Sequence, residues 1–160
     1  MTNRTRISTI VFSVYILLAF YVFGAGMVNA LVAYRTWRWV GADEFPKFHH
    51  VDSSLIIPFF VIFFFLSFIP QILLLWFRPL SIPRGLVWLA LFLNGIVLVS
   101  TITLQIPLQG ELDKKFSLDV INRLISTDMI YRRIPMLLLA LVNFIMLYKV
   151  VRHSGNRSGI

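Results

Sequence analysis

Residues 55–77 read Leu-Ile-Ile-Pro-Phe-Phe-Val-Ile-Phe-Phe-Phe-Leu-Ser-Phe-Ile-Pro-Gln-Ile-Leu-Leu-Leu-Trp-Phe, 23 residues without one Asp, Glu, Lys or Arg. A helix needs about 20 such residues to cross the ~30 Å hydrocarbon layer of a bilayer. The stretch shows no alternation of apolar and polar positions, so a strand of a membrane β-barrel is disfavoured. It is therefore predicted to be a transmembrane helix.

Working outward, the same reading applies to three more runs, at about 7–34, 85–106 and 134–151. The first exceeds the 7–15 apolar residues of a signal-peptide core and has no clear small-residue cleavage site, so it is expected to be a retained helix. The predicted fold is all-α: a polytopic membrane protein whose four transmembrane helices form one bundle, a single domain over residues 1–160. Residues 152–160, basic and containing Gly and Ser, are expected to be a disordered tail.

Composition agrees. The chain is 58% hydrophobic and 14% charged over 160 residues, with a mean hydropathy of +0.82. A soluble domain of this length cannot hide so much apolar surface. The absence of cysteine excludes thiol catalysis, thiolate metal sites and iron–sulfur clusters. The formal charge of +8 flanks apolar spans, so topology and lipid headgroups account for it and nucleic acid is not an expected partner.

Charge also suggests an orientation. Arg4, Arg6, Arg78, Arg84, Lys149, Arg152 and Arg157 fall on one side of the spans, in short segments without an acid. The other side carries Arg35, Arg38, Lys47, Lys114, Lys115, Arg123, Arg132 and Arg133 together with all seven acids. The acid-free side is assigned to the cytoplasm, with both termini, and a bacterial inner membrane is the default location. Trp37, Trp39, Trp76, Trp88, Tyr131 and Tyr148 sit near span ends, as interfacial rings do.

The two acid-bearing connections contain local structure. Asp43 is placed to cap a helix that has Glu44 and Pro46 in its first turn, begins before the lipid and kinks near Pro58. Residues 117–125 carry apolar side chains at 118, 121, 124 and 125, the spacing of a short amphipathic helix lying on the membrane surface between spans three and four. Pro107 is expected to break or kink the third helix, and Gly110 to permit a turn.

Polar residues are placed unevenly. No span has an Asp, Glu, Lys or Arg in its middle, which disfavours a pump, a voltage sensor or an ion pathway. Gln71, Asn94 and Asn143 read as interhelical hydrogen-bonding residues. Gly24 and Gly26 read as close helix packing, or as room for a flat ligand beside Asn29. Candidate chemistry gathers on the acid-bearing side. His49, His50 and Glu44 are candidate catalytic residues, histidine being the side chain able to act as base near neutral pH. Asn29, Tyr34, Gln105, Gln109, Glu111 and Arg132 are candidate substrate-binding residues. A metal would need three or four converging ligands, and no such spacing is present, so no metal is assigned.

A Gly-containing end of helix one, Tyr34-Arg35-Thr36-Trp37, Glu44-Phe45-Pro46-Lys47-Phe48-His49 and Ile106-Pro107-Leu108-Gln109-Gly110-Glu111-Leu112 together resemble the anthrone oxygenase-like family of small four-helix membrane proteins. The likeness covers most of the chain as layout and these short stretches in detail. The family commonly has Asn where this chain has Gln109. The resemblance implies a lipophilic polycyclic substrate with an acidic C–H. A base such as His49 or His50 would take the proton, and Asn29, Gln109 or Arg132 would stabilise the enolate. Oxygen would then react with the carbanion, with no cofactor. The competing expectation is a non-catalytic scaffold, lipid-binding or accessory protein, and the partners in either case are membrane lipid and a lipophilic small molecule.

Overall fold

The computed structural model describes residues 3–158. Four long helices run antiparallel to their sequence neighbours: α1 (Asn3–Trp39), α2 (Phe45–Phe77), α3 (Arg84–Leu112) and α4 (Leu118–Gly155). Each is long and apolar enough to cross a membrane. The helices pack as a closed ring, α1 on α2, α2 on α3, α3 on α4 and α4 on α1. No strand occurs among the described residues. The outward surface is apolar, with Leu17, Phe59, Phe92, Leu141 and Phe144 all exposed. In water such a surface would drive association, and in lipid it is matched.

The helices extend well past the apolar runs on the acid-bearing side. The connections there shrink to 40–44 and 113–117. At the other end, Arg78 donates from Nε to the Ile82 carbonyl (3.0 Å) to close the short turn between α2 and α3. The residue preceding α2 is Glu44, not Asp43, and neither caps it through a side chain; Pro46 lies in the first turn, where its missing N–H costs nothing. Ser117 does cap α4, its Oγ accepting from the Val120 N–H.

The predicted amphipathic stretch is helical from Leu118 to Asp128, but it is the first part of α4 rather than a separate element. Ile121 and Leu124 are fully buried against Tyr34, Trp37, Phe45, Leu108 and Leu112. Its apolar face is thus covered by protein. Helical geometry also persists through Ser158, where a disordered tail from 152 was expected. Extending an existing helix needs no new nucleus, and one glycine, Gly155, costs only about 1 kcal/mol. Residues 159 and 160 of that expected tail lie outside the described residues.

Each long helix contains one five-residue π-turn: Asn29–Ala33, Ile57–Val61, Thr101–Gln105 and Met129–Arg133. All four fall in the acid-bearing half of the bundle. Prolines explain three of them. Pro58 lies inside the second, and Pro107 and Pro135 follow the third and fourth. A proline cannot donate to the carbonyl four residues back, and a widened turn absorbs that mismatch. Pro107 therefore does not end α3, which runs on through Gly110 to Leu112. Behind Pro135, the freed Tyr131 carbonyl accepts from Ser100 Oγ (3.1 Å), a hydroxyl shared with the Val97 carbonyl.

Three buried clusters stack along the bundle. At the terminal end Phe12, Tyr15, Leu74, Val87 and Met146 pack together; in the middle, Val22, Phe60, Phe64, Val97 and Met136; at the acid-bearing end, the aromatic and aliphatic group around Trp37. The last cluster makes the helix extensions a cap with a core of its own.

Candidate functional site

Polar side chains occupy three levels of the bundle. The level nearest the termini joins all four helices. Tyr15 donates to Asn143 Oδ1 (2.7 Å), Gln71 Nε2 donates to the Tyr15 hydroxyl (3.3 Å), and Asn94 Nδ2 donates to Gln71 Oε1 (2.7 Å). The interhelical role expected of Gln71, Asn94 and Asn143 is what the structure shows; Tyr15 is the member the sequence did not reveal. A void of about 20 Å³ adjoins Tyr15, Asn94 and Asn143, room for about one water molecule.

The cap holds the second group. His49 is completely buried in it. Its ring stacks on Phe45 (5.5 Å between centroids) and meets Trp37 edge-on (4.8 Å). Nδ1 lies 2.7 Å from Asp113 Oδ1, and Nε2 lies 3.0 Å from Gln109 Oε1. Gln109 Nε2 in turn donates to the Tyr34 hydroxyl (3.2 Å). A chain of four side chains thus leads from Tyr34, which is buried, to Asp113, which is exposed. Asp52, one turn after His49, approaches the ring and the buried Trp37 indole N–H without closing a full hydrogen bond to either.

The Gln109 amide can present either end to Nε2: with Oε1 there it accepts from an Nε2–H, and turned over it would donate to Nε2 and accept from Tyr34. Asp113 holds Nδ1 in both arrangements, so Nε2 is the nitrogen whose partner is replaceable.

The third group sits at the π-turns. Arg133 makes a two-pronged ion pair with Asp128, Nε to Oδ2 at 2.6 Å and Nη2 to Oδ1 at 2.9 Å, and Arg132 Nη1 reaches the same carboxylate at 3.0 Å. All three residues are buried. The π-turn makes this possible, because its wider period brings residues five apart onto one face, so both arginines reach Asp128. Gln105 Nε2 donates to Thr127 Oγ1 (3.1 Å), leaving its own Oε1 buried and unpartnered. Arg132 Nε is likewise buried without a partner.

No protein-family model, curated protein or solved structure matches the chain.

Of the residues singled out in the sequence, the structure joins His49, Gln109 and Tyr34 directly. Arg132 and Gln105 lie in the π-turn level. Asn29 is also buried there, on α1, with no hydrogen bond from its side chain among the described residues. Glu44, His50 and Glu111 are exposed and take no part in either group. Among the described residues no three His, Asp or Glu side chains gather to hold a metal. The glycines divide. Gly24 has open space beside it, whereas a Cβ on Gly26 would lie 2.7 Å from Arg133 Nη1. Gly26 makes room for a guanidinium rather than for a ligand. Asp113 was missed as a member. Arg132 and Arg133 were open in the sequence to marking the interface or to pairing with Glu111, Asp128 or an anionic headgroup, and the structure pairs both with Asp128. An open cleft of about 560 Å³ by Tyr148, Lys149, Arg152 and His153 contains none of these residues.

Proposed function

We propose that the chain is a membrane-embedded enzyme acting on a lipophilic small molecule with an acidic C–H, with His49 as the base. The observation that carries this reading is the His49 ring held by a carboxylate on Nδ1 and by a neutral, replaceable amide on Nε2. A carboxylate on one ring nitrogen orients the imidazole and stabilises its protonated form, leaving the other nitrogen to take a proton. Displacement of Gln109 by the substrate would free Nε2. The C–H proton passes to Nε2, and the carbanion is oxidised by dioxygen, so that CH₂ and O₂ become C=O and H₂O. Dioxygen is the oxidant and no other reductant or cofactor enters the balance. The resemblance of residues 34–37, 44–49 and 106–112 to the anthrone oxygenase-like family is what suggests this choice of chemistry. We place the protein in a bacterial inner membrane with the acid-free end cytoplasmic, on the charge distribution.

The test is oxygen uptake by the protein in liposomes, with a panel of polycyclic carbon acids. The wild type should consume one O₂ per ketone formed with one substrate class, and His49→Gln should lower that rate by about 10²-fold or more. Equal rates in wild type and variant, or no uptake with any member, would overturn the reading. A non-catalytic scaffold or accessory role is the second reading, and the complete burial of His49 beneath Trp37 and Phe45 favours it.

A further inference from the structure

The π-turn level holds a charge that the protein does not balance. Two guanidiniums face one carboxylate, and among the described residues Asp128 is the only acid paired with either. Arg132 and Arg133 are 4% and 1% exposed and Asp128 is 1% exposed. Uncompensated charge in such surroundings is costly, and buried ionisable residues in membrane helices mark function more often than stability. Each Arg133 nitrogen has a partner, Nε and Nη2 on Asp128 and Nη1 on Met136 Sδ. Arg132 is not fully partnered, since one contact goes to Asp128 and its Nε is buried without a partner. A buried acceptor, Gln105 Oε1, is also unpartnered on the neighbouring helix, which packs on α4 one residue before Asp128. The level lies where the apolar run of α4 begins. Ile102, Ile106, Ile130 and Ile134, all exposed, flank it on α3 and α4.

We infer that Arg132 forms a buried site for one carboxylate group, carried on an apolar body that approaches from the lipid. One negative charge completes the balance of the level, and a carboxylate accepts from the unpartnered Arg132 Nε–H. The site uses no residue of the His49 chain. It rests on the small-molecule reading only for the kind of occupant, and its readout is binding, so loss of turnover in His49→Gln leaves it standing.

The experiment is thermal unfolding in a neutral maltoside detergent, titrated with decanoate, with decanol and with acetate. The expected result is a saturable rise in Tm with decanoate, absent with decanol, whose half-saturation is at least tenfold weaker in Arg132→Gln while the ligand-free Tm is unchanged or higher. A rise with acetate at a concentration similar to decanoate sustains the carboxylate site and assigns its occupant to the aqueous phase. Should Arg132→Gln not fold, Arg132→Lys keeps the charge but lacks Nε, and it too should weaken half-saturation at least tenfold. No shift with decanoate or acetate, an equal shift with decanol, or unaltered half-saturation in the folded variant would overturn the inference.

Discussion

The guanidinium of Arg133 fills the space that a side chain at residue 26 would need. An ideal Cβ there would stand 2.7 Å from Arg133 Nη1, 3.0 Å from Met136 Cε and 3.3 Å from Phe60 Cε2. Arg133 cannot retreat without breaking its pair with Asp128. Gly26→Ala should therefore destabilise the protein by about 1–3 kcal/mol, the usual cost of overpacking. Gly24→Ala, which meets nothing within 4 Å, should be neutral or stabilising by up to about 1 kcal/mol. Denaturation of both variants in one detergent checks the contrast, and equal losses would show that Arg133 is not held where described.

Asp128 is the single counter-charge for two buried arginines. Asp128→Asn should cost about 3–5 kcal/mol, because removing one partner strands the others. Replacing Asp128, Arg132 and Arg133 together by Leu, Met and Met should cost less than Asp128→Asn alone. A triple variant no better than the single would mean that the ion triad is worth more than its isosteric apolar packing.

Ser100 answers for a carbonyl that Pro135 leaves without its helical donor. Ser100→Ala should destabilise by about 1 kcal/mol, the usual net worth of one hydrogen bond. In the background of Pro135→Ala, which restores an N–H, the same change should cost less. Additive losses would uncouple the two residues.

Tyr15→Phe removes the hydroxyl that both accepts from Gln71 and donates to Asn143. Interhelical hydrogen bonds in membranes average about 0.6 kcal/mol and reach about 1.7 kcal/mol. With two bonds lost, a decrease of about 1–2 kcal/mol in detergent stability is expected. Asn143→Leu should add little once Tyr15 is Phe.

The bundle was legible because lipid imposes a rule that local sequence obeys: long charge-free runs such as 55–77 have few other uses. The connections were harder. Residues 107–112 carry a proline and a glycine that ordinarily end a helix, and only the π-turn before Pro107 lets α3 continue. That compensation depends on neighbouring helices and leaves no trace in local periodicity. His49, Gln109 and Tyr34 were recognisable as candidates by residue type, yet their joining depends on α1, α2 and α3 packing beyond the apolar layer. Asp113 was passed over because, at the end of a helix beside two lysines, it reads as a solvated acid. Arg133 was open in the sequence to marking the interface or to pairing with an acid, and it is buried on Asp128, 1% exposed.

The level near the termini takes one hydrogen-bonding residue from each helix: Tyr15, Gln71, Asn94 and Asn143. Asn143 on α4 pairs with a residue 128 positions earlier on α1. A shifted or inverted α4 would leave the Tyr15 hydroxyl without that acceptor. The pairing therefore makes the register of α4 against α1 a condition for satisfying the whole level, so an error in placing one helix is felt by the polar groups of all four.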